Sequence, residues 1–344
     1  MDPSGNTRRP GLHDVARLAG CSYQTVSRVV NNTGAVSDNT RSHVMAAIAE
    51  LGYRRNGAAL ALRTAKAGAI GVVTHSSWRY GPMGVLHGIE TAAREAGKHL
   101  LLSVEERDSF ASLKATLDSF RETFVDGIIV IAPIVHEAEQ ALKMIAESGW
   151  ASALPIVVLA ADTTSLPHAT VISEDQAEGA RMAVGHLADL GHDSIGHVAG
   201  GQDWLEGRAR LLGWKSELEA RNLRVSEPIF GDWSGESGFE AGQKIAAMAD
   251  PPTAVFVASD LMALGVMRAF RKRGIRVPED VSLVGFDDHE FAAQFDPPLT
   301  TIRQDFAALG RLCIATLNDL GTHDARIISP KIIVRESTAT PPTR

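Results

Sequence analysis

From residue 68 onward the chain alternates, twice over, between short apolar runs and longer amphipathic segments, and few folds accommodate that order. Ala69-Ile-Gly-Val-Val-Thr74, Gly127-Ile-Ile-Val-Ile-Ala132 and Pro155-Ile-Val-Val-Leu-Ala160 are nearly continuous apolar runs. Strands buried on both faces of a parallel sheet read this way. Between them lie segments of helical length, such as Val85 to Ala96 and Ala138 to Glu147. After about residue 172 the pattern restarts with Ser194-Ile-Gly-His-Val-Ala199, Thr253-Ala-Val-Phe-Val-Ala258 and Val281-Ser-Leu-Val-Gly-Phe286. The expectation is an α/β core of two doubly wound subdomains, with a ligand cleft between them outside the carboxyl ends of the strands.

The first 66 residues follow different rules. They hold nine Lys/Arg against four Asp/Glu, a balance of +5, whereas the remainder holds 25 against 37, a balance of -12. The basic part is where nucleic acid would bind. Leu12, Val15, Ala16 and Ala19 fall at helical spacing before Gly20, which predicts a helix from about Gly11 to Ala19. Cys21-Ser-Tyr-Gln-Thr-Val-Ser-Arg-Val-Val30 then reads as a second helix capped by Ser22, with Val26, Val29 and Val30 inward. Gln24 and Arg28 lie four residues apart on its outward face, and Tyr23 adds a ring in the first turn. Arg bonds guanine O6 and N7, and Gln bonds adenine N6 and N7, each in a bidentate fashion. Asn31-Asn-Thr-Gly34 is turn chemistry, and Ser37 is placed to cap a third helix with Val44, Ala47, Ile48 and Leu51 as its apolar stripe, ended by Gly52. Helix, Gly-containing turn and helix is the helix-turn-helix pattern.

The recognition stretch, continued through Asn31, resembles the headpiece of the lactose-repressor (LacI/GalR) family, and the resemblance runs from about Leu12 to Thr338. It implies a small all-α headpiece over residues 8–53, a hinge helix over 54–67, and a core over 68–344 like the periplasmic sugar-binding proteins. Within that core it implies an N-subdomain of about 68–172 and 304–330 and a C-subdomain of about 173–303 and 331–340. Carried over residue by residue, Tyr23, Gln24 and Arg28 touch bases, while Ser22, Thr25, Ser27, Asn31, Ser37 and Thr40 hold phosphates, contacts that set register without reading sequence. His13 stands where the family has a backbone-binding tyrosine. In the hinge, Asn56, Ala59 and Leu62 match the pattern, with Leu62 as a minor-groove wedge. Gly57 replaces a basic residue there and weakens helix formation by ~1 kcal/mol relative to Ala.

For the cleft, the same resemblance assigns Arg107, Arg210, Trp233, Asp287, Gln304 and Phe306 to a sugar effector, with Ser259 at the position of an asparagine. Asp260, Asp288 and Asp305 adjoin these positions. A carboxylate and an arginine clamp neighbouring hydroxyls while an aromatic ring covers the C–H face of a pyranose. There are departures. Ala160 falls where an aspartate is expected, with Asp162 two residues on, Arg79 replaces a leucine, and Glu206 replaces a serine. A galactoside is the first expectation, and a sugar whose negative group pairs with Arg79 is its rival.

The function expected is a homodimeric transcriptional repressor released from pseudo-palindromic operator DNA by a sugar. A corepressor logic, as in purine-binding members, is the alternative. A secreted sugar-binding protein would not explain residues 11–66, and an enzyme finds no support in a Gly-x-Ser-x-Gly elbow, a P-loop or a Gly-x-Gly-x-x-Gly fingerprint. His186, His192 and His197 fit no metal-ligand spacing, so neither metal nor cofactor is expected. No apolar run reaches the ~18 residues of a membrane span and no hydrophobic signal core opens the chain, so the expected location is cytoplasmic, with Cys21 and Cys313 reduced. The end, Thr340-Pro-Pro-Thr-Arg344, lacks the leucine heptads that make tetramers in the family, and a dimer is expected.

Overall fold

The computed structural model describes residues 10–54, 67–75, 79–105, 110–148, 154–160, 169–319 and 326–343. The chain divides into two compact units, Met1–Ala67 and Gly68–Arg344. Asn56, Ala59 and Leu62, the expected hinge residues, lie outside the described residues, as do Arg107 and Asp162.

The first unit contains three helices, α1 (Leu12–Ala19), α2 (Tyr23–Asn31) and α3 (Asp38–Leu51). Each ends on a left-handed residue, Gly20 (φ 65°), Asn32 (φ 53°) and Gly52 (φ 61°), a conformation that Gly and Asn adopt most readily. The second helix runs on through Asn31, which its turn chemistry had assigned to the following loop, because the Asn31 amide donates back to the Ser27 carbonyl at 2.7 Å. Val15, Ala16, Val26, Val29, Val44 and Ala47 form the small core, and Val30 is half-buried at its edge.

The second unit is built on two six-stranded sheets. Along the chain follow β1 (Ala69–His75), α4 (Tyr80–Glu95), β2 (His99–Glu105), α5 (Phe110–Glu122), β3 (Gly127–Ile131), α6 (Val135–Ser148), β4 (Ile156–Leu159) and β5 (Ala169–Glu174). Next come α7 (Gln176–Asp189), β6 (Ile195–Ala199), α8 (Leu205–Ala220), β7 (Ile229–Phe230), α9 (Gly235–Ala246), β8 (Ala254–Val257), α10 (Asp260–Lys272) and β9 (Ser282–Asp287). The chain closes with β10 (Thr300–Arg303), α11 (Phe306–Asn318), β11 (Arg326–Ile328) and β12 (Lys331–Ile333). One sheet has the order β11-β5-β4-β3-β1-β2 and the other β12-β10-β9-β8-β6-β7, parallel throughout except for the β10–β12 pair. The fully buried strands β3, β4 and β8 were legible as apolar runs, and each sheet has apolar clusters on both faces.

The chain passes between the sheets three times, after Glu174, after Arg303 and between Ile328 and Lys331. β5 extends two residues past the boundary expected near 172. Helix α4 also begins earlier than the apolar stripe from Val85 suggested, because Pro82 sits in its first turn, where a missing N–H goes unnoticed.

Helices α4 and α11 approach closely at paired glycines. A Cβ on Gly88 would lie 2.1 Å from the Phe306 carbonyl oxygen, one on Gly310 would lie 2.1 Å from the Gly88 oxygen, and one on Gly84 would meet the Phe306 ring at 2.4 Å. The helices therefore fix where Phe306 stands. Gly88→Ala should destabilise the core by about 1–3 kcal/mol through overpacking, read as a lower denaturation midpoint. An unchanged midpoint would show that the contact yields freely.

Candidate functional site

On the first unit, Tyr23, Gln24 and Arg28 are described on α2, with Tyr23 and Gln24 exposed in its first turn and Arg28 one turn further on. The Tyr23 ring stacks on His13 of α1, with centroids 4.6 Å apart, which holds it at the helix start. The six residues expected to hold phosphates occur as local pairs. Ser22 caps α2 by accepting from the Thr25 backbone N–H at 3.1 Å, and its hydroxyl lies 2.9 Å from that of Thr25. Ser37 caps α3 in the same manner, 3.3 Å from the Thr40 backbone nitrogen and 2.8 Å from its hydroxyl. Asn31 donates to the Ser27 hydroxyl at 3.0 Å. Two helix N-termini with hydroxyls around them suit anions, because unpaired N–H groups and the helix dipole point outward there.

In the second unit a cleft of about 770 Å³ opens between the sheets at the carboxyl ends of their strands, and Arg79, Arg210, Trp233, Ser259, Asp287, Gln304 and Phe306 all line it. Four side chains form a closed ring. Arg210 Nε donates to Gln176 Oε1 at 2.9 Å, Gln176 Nε2 donates to Gln304 Oε1 at 2.8 Å, and Gln304 Nε2 donates to Asp287 Oδ1 at 3.0 Å. Arg210 Nη2 completes the circuit to Asp287 Oδ1 at 3.4 Å, and Nη1 donates to the Ala258 carbonyl. The guanidinium lies 3.6 Å from the Phe286 ring centroid and 5.5 Å from that of Trp233. Trp233 is 9% exposed, and its ring fits because Gly200 carries no Cβ, which would stand 2.2 Å from the indole edge. Trp233 and Asp287 both adopt left-handed backbone, at φ 74° and 112°. Such strain costs on the order of 1–3 kcal/mol and persists where surrounding contacts over-determine it.

Not every polar residue near these positions faces a ligand. The Ser259 hydroxyl lines the cleft but also caps α10, accepting from Met262 N at 3.3 Å. Asp260 accepts from the Thr301 hydroxyl at 2.6 Å and from His289 N at 2.8 Å, a structural use. Asp288 turns away to Arg335 and Arg303, and Asp305 caps α11 through Ala308 N.

The cleft also holds residues that the sequence alone did not assign to it. Gln176 carries no motif and enters the ring because β5 delivers it directly to a crossover. Trp204 stands edge-on to Trp233 with centroids 6.1 Å apart, and the Arg79 guanidinium lies 5.2 Å from its ring centroid. Tyr80 stands edge-on to Phe306, and burial pushes its hydroxyl up to about 12. Glu174 is 6% exposed and accepts from Asp305 N at 2.9 Å, so the first two crossovers are joined both by this bond and by Gln176–Gln304. The clue to Glu174 was its place at the end of an apolar run.

Burial raises the carboxyls of the cleft. Glu174 and Glu206 are both lifted to about 7 by desolvation, and Asp287 to about 6, desolvation outweighing the opposing pull of Arg210. Arg210 is lowered by burial against the attraction of Asp287. Among the described residues no group of three or more His, Cys, Asp or Glu is placed to hold a metal, and no helix is long and apolar enough to cross a membrane.

Known proteins with this arrangement decide the family. Residues 11–56 match the model for bacterial regulatory proteins of the lacI family, and residues 184–338 match the periplasmic binding protein-like domain. The lactose operon repressor of Escherichia coli (strain K12) is 35% identical over 97% of this chain and 92% of its own length. The chain belongs to the lacI family. An HTH-type transcriptional repressor PurR of Photobacterium profundum is 32% identical, covering 95% of this chain and 98% of that one. A solved structure of the Lac repressor dimer bound to operator and the anti-inducer ONPF superposes with a TM-score of 0.84 at 33% identity, over 96% of this chain and all of that one. The headpiece and the two-sheet core are thus the architecture of this lacI-family chain.

A carboxyl raised in the folded state makes stability depend on pH. Below 4.5, its ordinary value, Glu174 is protonated whether the chain is folded or not. As pH climbs toward 7 the unfolded chain gives up a proton that the folded chain keeps, so stability falls and this contribution is gone above that range. Glu174→Gln should flatten the dependence and exceed the parent at pH 8 by on the order of 1–3 kcal/mol in denaturant melts. Parallel pH profiles for the two proteins would refute the assignment.

Proposed function

We propose that this lacI-family protein is a homodimeric transcriptional repressor that binds a pseudo-palindromic operator through α2 and releases it when a sugar occupies the cleft. The observation that carries the reading is the pairing, in one chain, of Tyr23, Gln24 and Arg28 on a capped helix with a cleft whose Arg210, Asp287 and Gln304 are already linked. Tyr23, Gln24 and Arg28 read base edges, and the Ser22–Thr25, Ser37–Thr40 and Ser27–Asn31 pairs fix the register by holding phosphates. Asn56, Ala59 and Leu62 belong to a hinge that enters the minor groove. Arg107 joins Arg79, Arg210, Trp233, Ser259, Asp287, Gln304 and Phe306 in contacting the effector.

The E. coli relative is named for a lactose operon, which favours a glycoside as the effector and supports induction over corepression. The cleft supports this with aromatic walls at Trp204, Trp233 and Phe306 beside charged hydrogen-bonding groups. The protein acts by binding and not by turnover, since Asp287 is held by Arg210 and Gln304 as an acceptor. A dimer is supported by the edge strand β2, where Leu101, Leu102 and Val104 are 38%, 49% and 53% exposed. An apolar sheet edge of this kind calls for cover. Two copies related by a two-fold axis also match a two-fold operator.

Removing residues 1–66 should abolish DNA binding and leave sugar binding intact, measured by gel shift and calorimetry. Arg28→Ala should weaken operator binding by about 1–3 kcal/mol and relax selectivity at one base pair. Equal losses on operator and on random DNA would contradict its role as a reader.

A further inference from the structure

The cleft is lined by more carboxyl groups than arginines, and both arginines are already engaged. Glu174, Glu206, Asp260 and Asp287 line it against Arg79 and Arg210. Arg210 is committed to Gln176, Asp287 and the Ala258 carbonyl, and Arg79 stacks on Trp204. Both oxygens of Asp260 accept from protein donors, and Asp287 takes two. Glu174 differs, because Oε1 accepts from Asp305 N while Oε2, in a side chain that is more than nine-tenths buried, has no partner. Glu206, in the first turn of α8, likewise has Oε2 buried without a partner. Buried carboxylate oxygens without donors are unfavourable and call for a proton or a cation.

We infer that the effector is a sugar bearing a protonated amine, whose ammonium group pairs with the unpartnered oxygen of Glu206 or of Glu174 while the pyranose ring lies against Trp204 and Trp233. The inference rests on the sugar reading proposed above and narrows it. A hydroxyl brings one donor and no charge, whereas an ammonium brings three donors and a charge that pairs with a carboxylate. The aromatic faces add to the attraction of a cation held near them. Burial lifts both glutamates to about 7, and an ammonium beside either one would pull it back toward its ionised form. A sugar acid would meet the same two groups with repulsion, although Arg79 stands nearby.

The test is calorimetry on the full-length protein with four classes of hexose: galactose and glucose, their 2-amino forms, the N-acetylated amines, and the uronic acids. Free amines should bind at least about tenfold tighter than the parent sugars, a difference of about 1.4 kcal/mol. N-acetylation should erase the gain, and Glu206→Gln or Glu174→Gln, both close in shape to the residue replaced, should narrow it. Neutral sugars binding as tightly as amines, or uronic acids binding best, would overturn the amine inference and leave the sugar reading standing. A gap left intact by both Gln substitutions would overturn it too. If no hexose of any class binds, the sugar reading falls and this inference falls with it.

Discussion

The ring of Arg210, Gln176, Gln304 and Asp287 is the interaction on which the second unit depends. Gln176 follows the first crossover between sheets and Gln304 begins the second, so their 2.8 Å bond joins the two strands of chain that a hinge would bend. The Glu174 bond to Asp305 N makes the same junction one step away. Arg210 and Asp287 anchor the pair to the sheet that carries β9. A guanidinium buried this deeply is tolerable only because its three nitrogens all find acceptors, and removing one partner would leave an uncompensated charge. Any ligand that touches Arg210 or Asp287 therefore acts on the crossovers as well.

Close approach of helices does the rest of the positioning. Gly84, Gly88 and Gly310 let α4 and α11 meet backbone to backbone, and the result is a fixed Phe306 at the mouth of the cleft. Gly200 does the same for Trp233 by leaving room at the indole edge. Small residues at these points make the aromatic walls rigid without direct hydrogen bonds. Rigid walls matter because a ligand held by many weak contacts gains from preorganisation.

The parallel strands were legible because burial on both faces leaves apolar runs such as Gly127 to Ala132, and the headpiece helices because their caps and stops are local chemistry. Arg210, Trp233, Asp287, Gln304 and Phe306 were legible through resemblance, and the fold brings them to one cleft. Gln176, Glu174 and Trp204 were not, since nothing local marks a residue whose partners lie about 30 to 130 positions away. Short strands such as β7, β11 and β12, of two or three residues, carry no readable period. Asp260 and Asp288, which adjoin assigned positions, answer needs of the fold, and only their hydrogen-bond partners show it. Local pattern reports burial and capping, whereas long-range polar pairing becomes visible only with the fold.

The proposed function amounts to a coupling free energy between two sites in one chain. If sugar in the cleft and operator on α2 favour different states, linkage requires that each weaken the other by the same factor. The most direct measurement is calorimetric titration of one binding sugar into the full-length protein, free and saturated with operator DNA. The predicted result is 5- to 150-fold weaker sugar binding on the operator complex, equivalent to about 1–3 kcal/mol. Equal affinity in the two titrations would contradict this coupling, and tighter binding on the operator complex would replace induction with corepression.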